Sequence, residues 1–336
     1  MKLGVFGYTN RASGLGAFLW DVRQNCAPDS WLSVQGAKGQ EQWLARQVNC
    51  TKPTPGVIEA YLQKYQPDVL LVIETPFSEE LWPLCRQHRV RTAMVVMQEF
   101  WYAKLDPDLF ICPTQISYDK VPAVNKAYFD WPIDVRPFPF ARRREARRFL
   151  HVAGYDVKGP RRQTAAVVAG FRAVKKPGIS LTIHLQRPWP NTDKLAGGDK
   201  RITVRVENFT DPAAVYNGFD VLVQPDAWAG YNRLLLEAKA VGMPVLTTDA
   251  APMNELVTDP EALLTPSRVV SHTIAGPYRT ARAIVEPKTV TAAIRKTLRW
   301  NIAAKSARAV HCAIAHSLTA GRKADFLRLL EATCNR

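Results

Sequence analysis

Through the first half of the chain, short apolar runs alternate with stretches whose apolar residues recur every three or four positions. KLGVF at 2–6 is a brief apolar run and predicts a buried strand, followed by the turn SGLG and a helical AFLWDVRQ. DSWLSVQGAKG shows no regular period and is expected to be irregular. In PGVIEAYLQKYQ, Val57, Ile58, Tyr61, Leu62 and Tyr65 share one helical face. PDVLLVIETP is continuously apolar and closed by proline, the pattern of a strand covered on both faces. SEELWPLCRQH predicts a helix, and RTAMVVMQE and PDLFICPT predict strands. Strands alternating with helices imply a parallel sheet with right-handed crossovers.

The alternation stops at YFDWPIDVRPFPF, whose prolines and aromatics suit neither a helix nor a sheet centre, and which therefore predicts a linker. It resumes with a strand in RRFLHVAGY, a helix in RRQTAAVVAGFRAV, strands in ISLTIHLQ and RITVRVENF, a short helix in DPAAVYNGF and a strand in FDVLVQP. YNRLLLEAKAVG then predicts a helix closed by glycine, and MPVLTTD another strand. From Glu286 onward the chain reads as mostly helical, with Val290, Ile294, Leu298 and Ile302 as an i+4 stripe. A chain of 336 residues suits two α/β cores of about 150 residues each. The expected domains are 1–140 and 141–336, both doubly wound and Rossmann-like, facing a central cleft, the second ending in a basic helical tail.

Composition excludes several classes. No run reaches the roughly 20 apolar residues of a membrane span, and MKLGVFGYTN lacks the pattern of a secretory leader, so a cytoplasmic protein is expected. The six cysteines contain no C-x-x-C pair, and His311 and His316 are five apart, off a common helical face; no metal site is expected. Charge is uneven: residues 1–140 carry 14 basic and 14 acidic residues, so the whole net charge of +15 falls in 141–336. Such asymmetry suggests an anionic partner for the second half.

Chemistry concentrates in residues 219–257, FDVLVQPDAWAGYNRLLLEAKAVGMPVLTTDAAPMNELV. Open α/β sheets bind ligands beyond the carboxyl ends of their strands, with phosphates on helix N-termini. In that frame Gly230, Tyr231 and Asn232 open a helix whose free N–H groups face a diphosphate, and Glu237 either accepts hydrogen bonds from a ribose diol or is simply a solvated helix residue.

This segment resembles the nucleotide-sugar motif of the GT-B glycosyltransferases, especially glycosyltransferase family 4, and LLLEAKAVGMPVLTTD fits its ending closely. FLHVAGY with KGPRRQTAAVVAGF resembles the family's opening of the C-terminal domain, which places Arg162 at the basic position that meets the donor diphosphate, with Arg161 and Lys158 as neighbours able to do so. SGLG, with Gly14 and Gly16, resembles the glycine-rich loop that approaches the sugar phosphate. The resemblance implies transfer of a sugar from a nucleotide-diphosphate donor, expected to be a UDP-sugar, with no bound cofactor and no metal requirement. Arg162 and Arg161 would stabilise the leaving diphosphate.

One position departs from the family. Where the motif has two glutamates eight residues apart, the first is here Ala229, with Asp226 three residues before it. On the acceptor side, Glu74 and Glu99 end predicted strands. Glu99 serves as a base if the reaction inverts the anomeric centre, and as an orienting group if it retains.

Between Pro287 and Ala324 there are eight basic residues and no acidic one, including Arg295, Arg299, Lys305 and Arg308. ARRREARR adds five arginines against one glutamate. This surplus exceeds what a diphosphate needs and points to DNA as partner, hence to glycosylation of a hydroxymethylated pyrimidine, similar to the activity of bacteriophage enzymes. Tyr278, followed by Arg279 and Arg282, either stacks or wedges near a base or belongs to a plain surface loop, and Trp101 and Tyr102, beside Glu99, either line the acceptor pocket or belong to the core. The competing readings are a GT-B enzyme acting on a saccharide or lipid-linked acceptor in envelope synthesis, a lapsed GT-B domain that only binds nucleic acid, and a nucleotide-sugar epimerase.

Overall fold

The computed structural model of the protein describes residues 1–9, 14–34, 41–155, 160–188, 192–209 and 211–334. These form two compact units. The first comprises Met1–Ile133, Ala275–Arg279 and Leu318–Arg336; the second comprises Asp134–Ile274 and Thr280–Ser317.

The first unit contains β1 (Leu3–Gly7), α1 (Gly14–Cys26), β2 (Ser30–Val34), β3 (Gln47–Cys50), α2 (Pro55–Tyr65), β4 (Val69–Ile73), α3 (Leu81–Gln87), β5 (Arg91–Val95), β6 (Leu109–Cys112), α4 (Gln115–Lys120) and β7 (Lys126–Tyr128). Its seven strands lie in the order β3-β2-β1-β4-β5-β6-β7, with every pairing parallel. β1 and β4 are buried along their whole length, as the unbroken apolar runs require of strands covered on both faces.

β2 corrects the expectation of an irregular segment at 29–39. Ser30 and Ser33 hide its periodicity, yet all five of its residues are buried. The two hydroxyls are satisfied inside: Ser30 Oγ pairs with Tyr61 Oη at 2.7 Å, and Ser33 Oγ with Thr9 Oγ1 at 2.7 Å. Once hydrogen-bonded, a buried serine behaves as a small filler.

The second unit contains β8 (Arg148–Gly154), α5 (Thr164–Arg172), β9 (Ser180–Leu185), β10 (Ile202–Val206), β11 (Val221–Gln224), α6 (Arg233–Ala240), β12 (Val245–Thr248), α7 (Met253–Leu256), β13 (Leu263–Leu264), most of the strands β14 (Arg268–Ala275) and β15 (Tyr278–Ile284), whose residues Ala275–Arg279 fall in the first unit, α8 (Pro287–Thr297) and α9 (Ile302–Ala315). Six strands form a second parallel sheet, β10-β9-β8-β11-β12-β13, while β14 and β15 pair as a separate ribbon absent from the sequence reading. The predicted short helix at 211–219 is a single 3₁₀ turn, Pro212–Tyr216. Gly170 allows α5 and α8 to close: a Cβ there would lie 2.6 Å from Val290 Cβ. The stripe Val290–Ile302 is not one helix. α8 stops at Thr297, Asn301 caps α9 through its side chain, and Val290, Ile294 and Ile302 converge on one core from two helices.

The last helix, α10 (Ala320–Cys334), departs from the expected tail of the second domain. It packs within the first unit: Phe326 meets Trp131 and Phe129 at ring distances of 5.0 and 5.2 Å, and Arg322 pairs with Asp130 at 3.0 Å. Burying Phe326 and Leu330 outweighs any preference for the domain that precedes them in the chain.

Candidate donor site

In the second sheet the chain winds outward from β8 in one direction through β9 and β10, then returns to β11 beside β8. The ends of β8 and β11 are therefore the topological switch point, where doubly wound sheets bind ligands. Two loops leave it, one leading to α5 and the other to α6.

Hydrogen bonds tie these loops together. Ala227 N donates to Arg161 O at 2.7 Å. Gln163 Nε2 donates to Pro225 O at 2.6 Å and to Ala283 O at 3.2 Å, while its Oε1 accepts from Val285 N. Below them His151 of β8, fully buried, bonds Val223 O and Thr164 Oγ1 at 2.8 and 2.9 Å. Burial pushes its pKa down to about 4, so the imidazole is neutral at physiological pH.

Asp226 is the charged centre of the site. It is fully buried, and its Oδ2 accepts from Arg162 Nη1 at 2.6 Å and from Asn232 Nδ2 at 2.9 Å, while Oδ1 accepts from Gln224 Nε2 at 2.8 Å. A carboxylate without solvent needs such a set of partners, since burial of an unpaired charge costs several kcal/mol. In sequence Asp226 stands out only by lying three residues before Ala229, with nothing to connect it to Arg162. The structure joins the two across 64 positions of sequence. Arg161 differs: its Nε is buried without a hydrogen-bond partner among the described residues.

Asn232 and Gln163 occupy equivalent positions. Each is the N-cap of a helix, each lies in the left-handed region (φ 68° and 52°), and neither uses its side chain to cap that helix. N-caps ordinarily take extended backbone and turn a side-chain oxygen onto the first-turn N–H groups. Here both amide side chains are directed to other groups, so neither N-cap side chain serves the first-turn N–H groups of α5 or α6. Gly230 and Tyr231 are buried in the approach to α6.

Glu237 lies one turn further along α6. Its Oε1 accepts from Arg233 Nε at 2.5 Å and its Oε2 from Tyr216 Oη at 2.8 Å, with 13% of the side chain exposed. Burial and the adjacent Glu237 raise the Tyr216 pKa well above its usual value, so the phenol remains a donor. Glu237 is thus fixed in orientation with an exposed edge. Gly242 closes α6 at φ 78°, where a Cβ would lie 2.6 Å from the Phe140 ring; only glycine suits both the backbone and the space.

The first unit has its own switch point, between β1 and β4. Gly14 and Gly16 lie in the first turn of α1 rather than in a loop before it, with Gly14 exposed and Gly16 buried. Ser13 of SGLG and Lys158 lie outside the described residues. Glu74 ends β4 in the left-handed region, φ 66°. It raises the pKa of Tyr8 and of Tyr278, in each case after burial as the larger cause. Glu99, 2% exposed, follows β5; Gln98 Nε2 donates to it at 3.3 Å, and it opposes the burial that lowers the Lys120 pKa. Tyr278 packs edge-on against Phe100 and Tyr102 at 5.0 and 5.7 Å, so it is a packed aromatic and not a projecting wedge.

Much of the basic surplus is neutralised within the fold. Lys305, expected to meet a phosphate backbone, is 18% exposed and donates to Asp259 and Glu261 at 2.6 Å each. Two carboxylates already satisfy that ammonium, which corrects its assignment as a DNA contact. Lys296 reaches Glu261, Lys288 reaches Glu286, and Arg148 reaches Asp220. Arg295, Arg299 and Arg308 are exposed. No helix among the described residues is long and apolar enough to cross a membrane.

Residues 146–285, which hold the groups around the switch point of the second sheet, match the family model of the group 1 glycosyl transferases. With two parallel Rossmann-like sheets, that match defines the class: the protein is a glycosyltransferase of GT-B fold. Among solved structures it is similar to HepE of Anabaena in complex with UDP and glucose (TM-score 0.74, 12% identity, covering 99% of this chain and 100% of that one). It is also similar to sucrose-phosphate synthase of Thermosynechococcus elongatus (TM-score 0.75, 13% identity, 99% of each chain). The lipopolysaccharide outer core galactosyltransferase WaaB gives a TM-score of 0.66 at 12% identity, covering 99% of each chain. At these identities the likeness is one of fold. No curated protein matches in sequence.

Proposed function

We propose that the second unit binds a UDP-sugar with its diphosphate on the N-termini of α5 and α6, and that the enzyme transfers the sugar to a hydroxyl of a saccharide acceptor. The observation that carries this reading is the pair of left-handed N-caps at the switch point, neither of which caps its own helix. Backbone N–H groups at two helix ends suit a dianionic leaving group. Arg161, with an unpartnered Nε, adds a cation there, and Arg162 is held in place by Asp226. Glu237 accepts hydrogen bonds from the ribose diol. In the reaction the bond from the anomeric carbon to the β-phosphate oxygen breaks, the acceptor oxygen bonds that carbon, and UDP departs with the electron pair. Glu74 and Glu99 of the first unit are the carboxylates proposed to hold the acceptor hydroxyl or take its proton.

The choice of UDP draws on HepE, whose structures hold UDP. The saccharide acceptor draws on the sugar-directed names of its structural neighbours and on the internal pairing of Lys305. A second reading, transfer to a hydroxymethylated pyrimidine in DNA, is favoured by exposed Arg295, Arg299 and Arg308. The test is transfer of labelled sugar from UDP-, GDP- and ADP-sugars to oligosaccharides, and to DNA with and without 5-hydroxymethylcytosine. Transfer from UDP-sugar to an oligosaccharide supports the first reading. Transfer confined to modified DNA supports the second, and absence of UDP binding refutes the donor assignment common to both.

A further inference from the structure

Away from the switch point, α6 carries a second group of reactive side chains. Lys239 is only 5% exposed, and its ammonium donates to Leu256 O and to Cys312 Sγ of α9, each at 2.6 Å. A buried ammonium requires an anion, because a carbonyl dipole compensates only part of its lost hydration. The nearby carboxylate of Asp259 is bonded to Lys305. The sulfur is therefore the partner able to supply a full negative charge. His316, at the end of α9, hydrogen-bonds the same sulfur.

Cys312 is half-buried and lines a small cleft of about 50 Å³ with Lys239, Asp259, Trp300, Lys305 and Arg308. Burial pushes its thiol pKa up, but the His316 hydrogen bond and the Lys239 ammonium outweigh that and bring it to about 7. The other cysteines go the opposite way. Burial pushes Cys26, Cys85 and Cys112 up to about 12 and raises Cys50 and Cys334.

We propose that Cys312, held by Lys239 and His316 in the lining of this cleft, is a covalent modification site: a nucleophile for soft electrophiles and hydroperoxides. With a hydroperoxide, the thiolate sulfur attacks the terminal peroxide oxygen. The S–O bond forms and the O–O bond breaks; sulfur loses two electrons, and the departing hydroxide or alkoxide takes a proton from water. The product is a sulfenic acid, whose formation removes the anion beside Lys239. Reactivity is set by charges on every element around the sulfur: Lys239 on α6, His316, Lys305 and Arg308 on or beside α9, and Asp259 after α7.

The test is alkylation of the full native chain by iodoacetamide across pH 5.5–10, with each cysteine followed by peptide mass spectrometry. Cys312 should label first, about tenfold faster at pH 7 than Cys50 or Cys334, with a midpoint near pH 7. Lys239→Gln should raise the midpoint by a unit or more, and His316→Gln, at the helix end, should raise it less while the fold is kept. Hydrogen peroxide followed by dimedone should leave an adduct on Cys312. Equal rates among the three cysteines, a wild-type midpoint near 9, or a midpoint that neither variant moves would overturn the proposal. So would a dimedone adduct on Cys50 or Cys334 in place of Cys312.

Discussion

The two sheets of this protein share a winding rule but treat their switch points differently. In the second unit the loops after β8 and β11 are joined by Gln163, by the contact of Ala227 with Arg161, and by Asp226 with Arg162 and Asn232. Among the described residues of the first unit, the corresponding place carries a left-handed Glu74, a half-buried Tyr8 and an exposed Gly14. A polar loop pair held together by cross-bonds suits recognition of a constant nucleotide.

The sharpest way to break that contrast is to remove its charged centre. Asp226→Ala should destabilise the protein by about 3–5 kcal/mol, read as a fall in the urea midpoint, because Arg162 is left without its anion. A drop below 1 kcal/mol would mean that water replaces the carboxylate. Arg161→Ala should lower kcat/KM for the UDP-sugar about 100-fold, on the order of 3 kcal/mol in transition-state stabilisation, with an unchanged melting temperature. Wild-type turnover would place the leaving-group cation elsewhere.

The neutral His151 sharpens the contrast through pH. Its folded pKa of about 4 lies below the unfolded value near 6.5, so the unfolded chain binds the extra proton. The associated stability is intact above about pH 6.5 and is lost as pH falls toward 4, by roughly 3 kcal/mol. His151→Gln should flatten that slope in urea unfolding measured from pH 7 to pH 4. Glu237→Gln should raise the dissociation constant for UDP about tenfold, near 1.4 kcal/mol, by isothermal calorimetry; an unchanged constant would remove it from the ribose site. The smallest effect belongs to the first unit. Glu74→Gly should stabilise the fold by about 1 kcal/mol, because glycine carries no penalty at φ 66°, while transfer to acceptor falls. Gain in stability without loss of transfer would make the strain incidental.

Much of this was legible before the fold was known. β1, β4, β11 and β12 are continuous apolar runs, and α6 ends on a glycine required by both its backbone and the Phe140 ring. Arg161, Arg162, Asn232 and Glu237 lie beside the switch point of the second sheet, where motif and topology coincide. β2 was hidden because two serines with internal partners read as solvent-facing polarity, and the β14–β15 ribbon because β14 is mostly exposed and the buried residues of β15, Thr280 and Ala283, do not alternate.

Period and motif record local preference, so the sequence by itself determined two α/β cores, the donor-side segment and the excess charge of the second half. Partnership over long separations is decided by topology: Arg162 with Asp226, Lys239 with Cys312, Lys305 with Asp259, and α10 within the first unit. A charge read along the chain shows its sign, but whether it is free or neutralised depends on which distant residue the fold brings within 3 Å. That is why Lys305 belonged to a basic run in sequence and to a carboxylate pair in space.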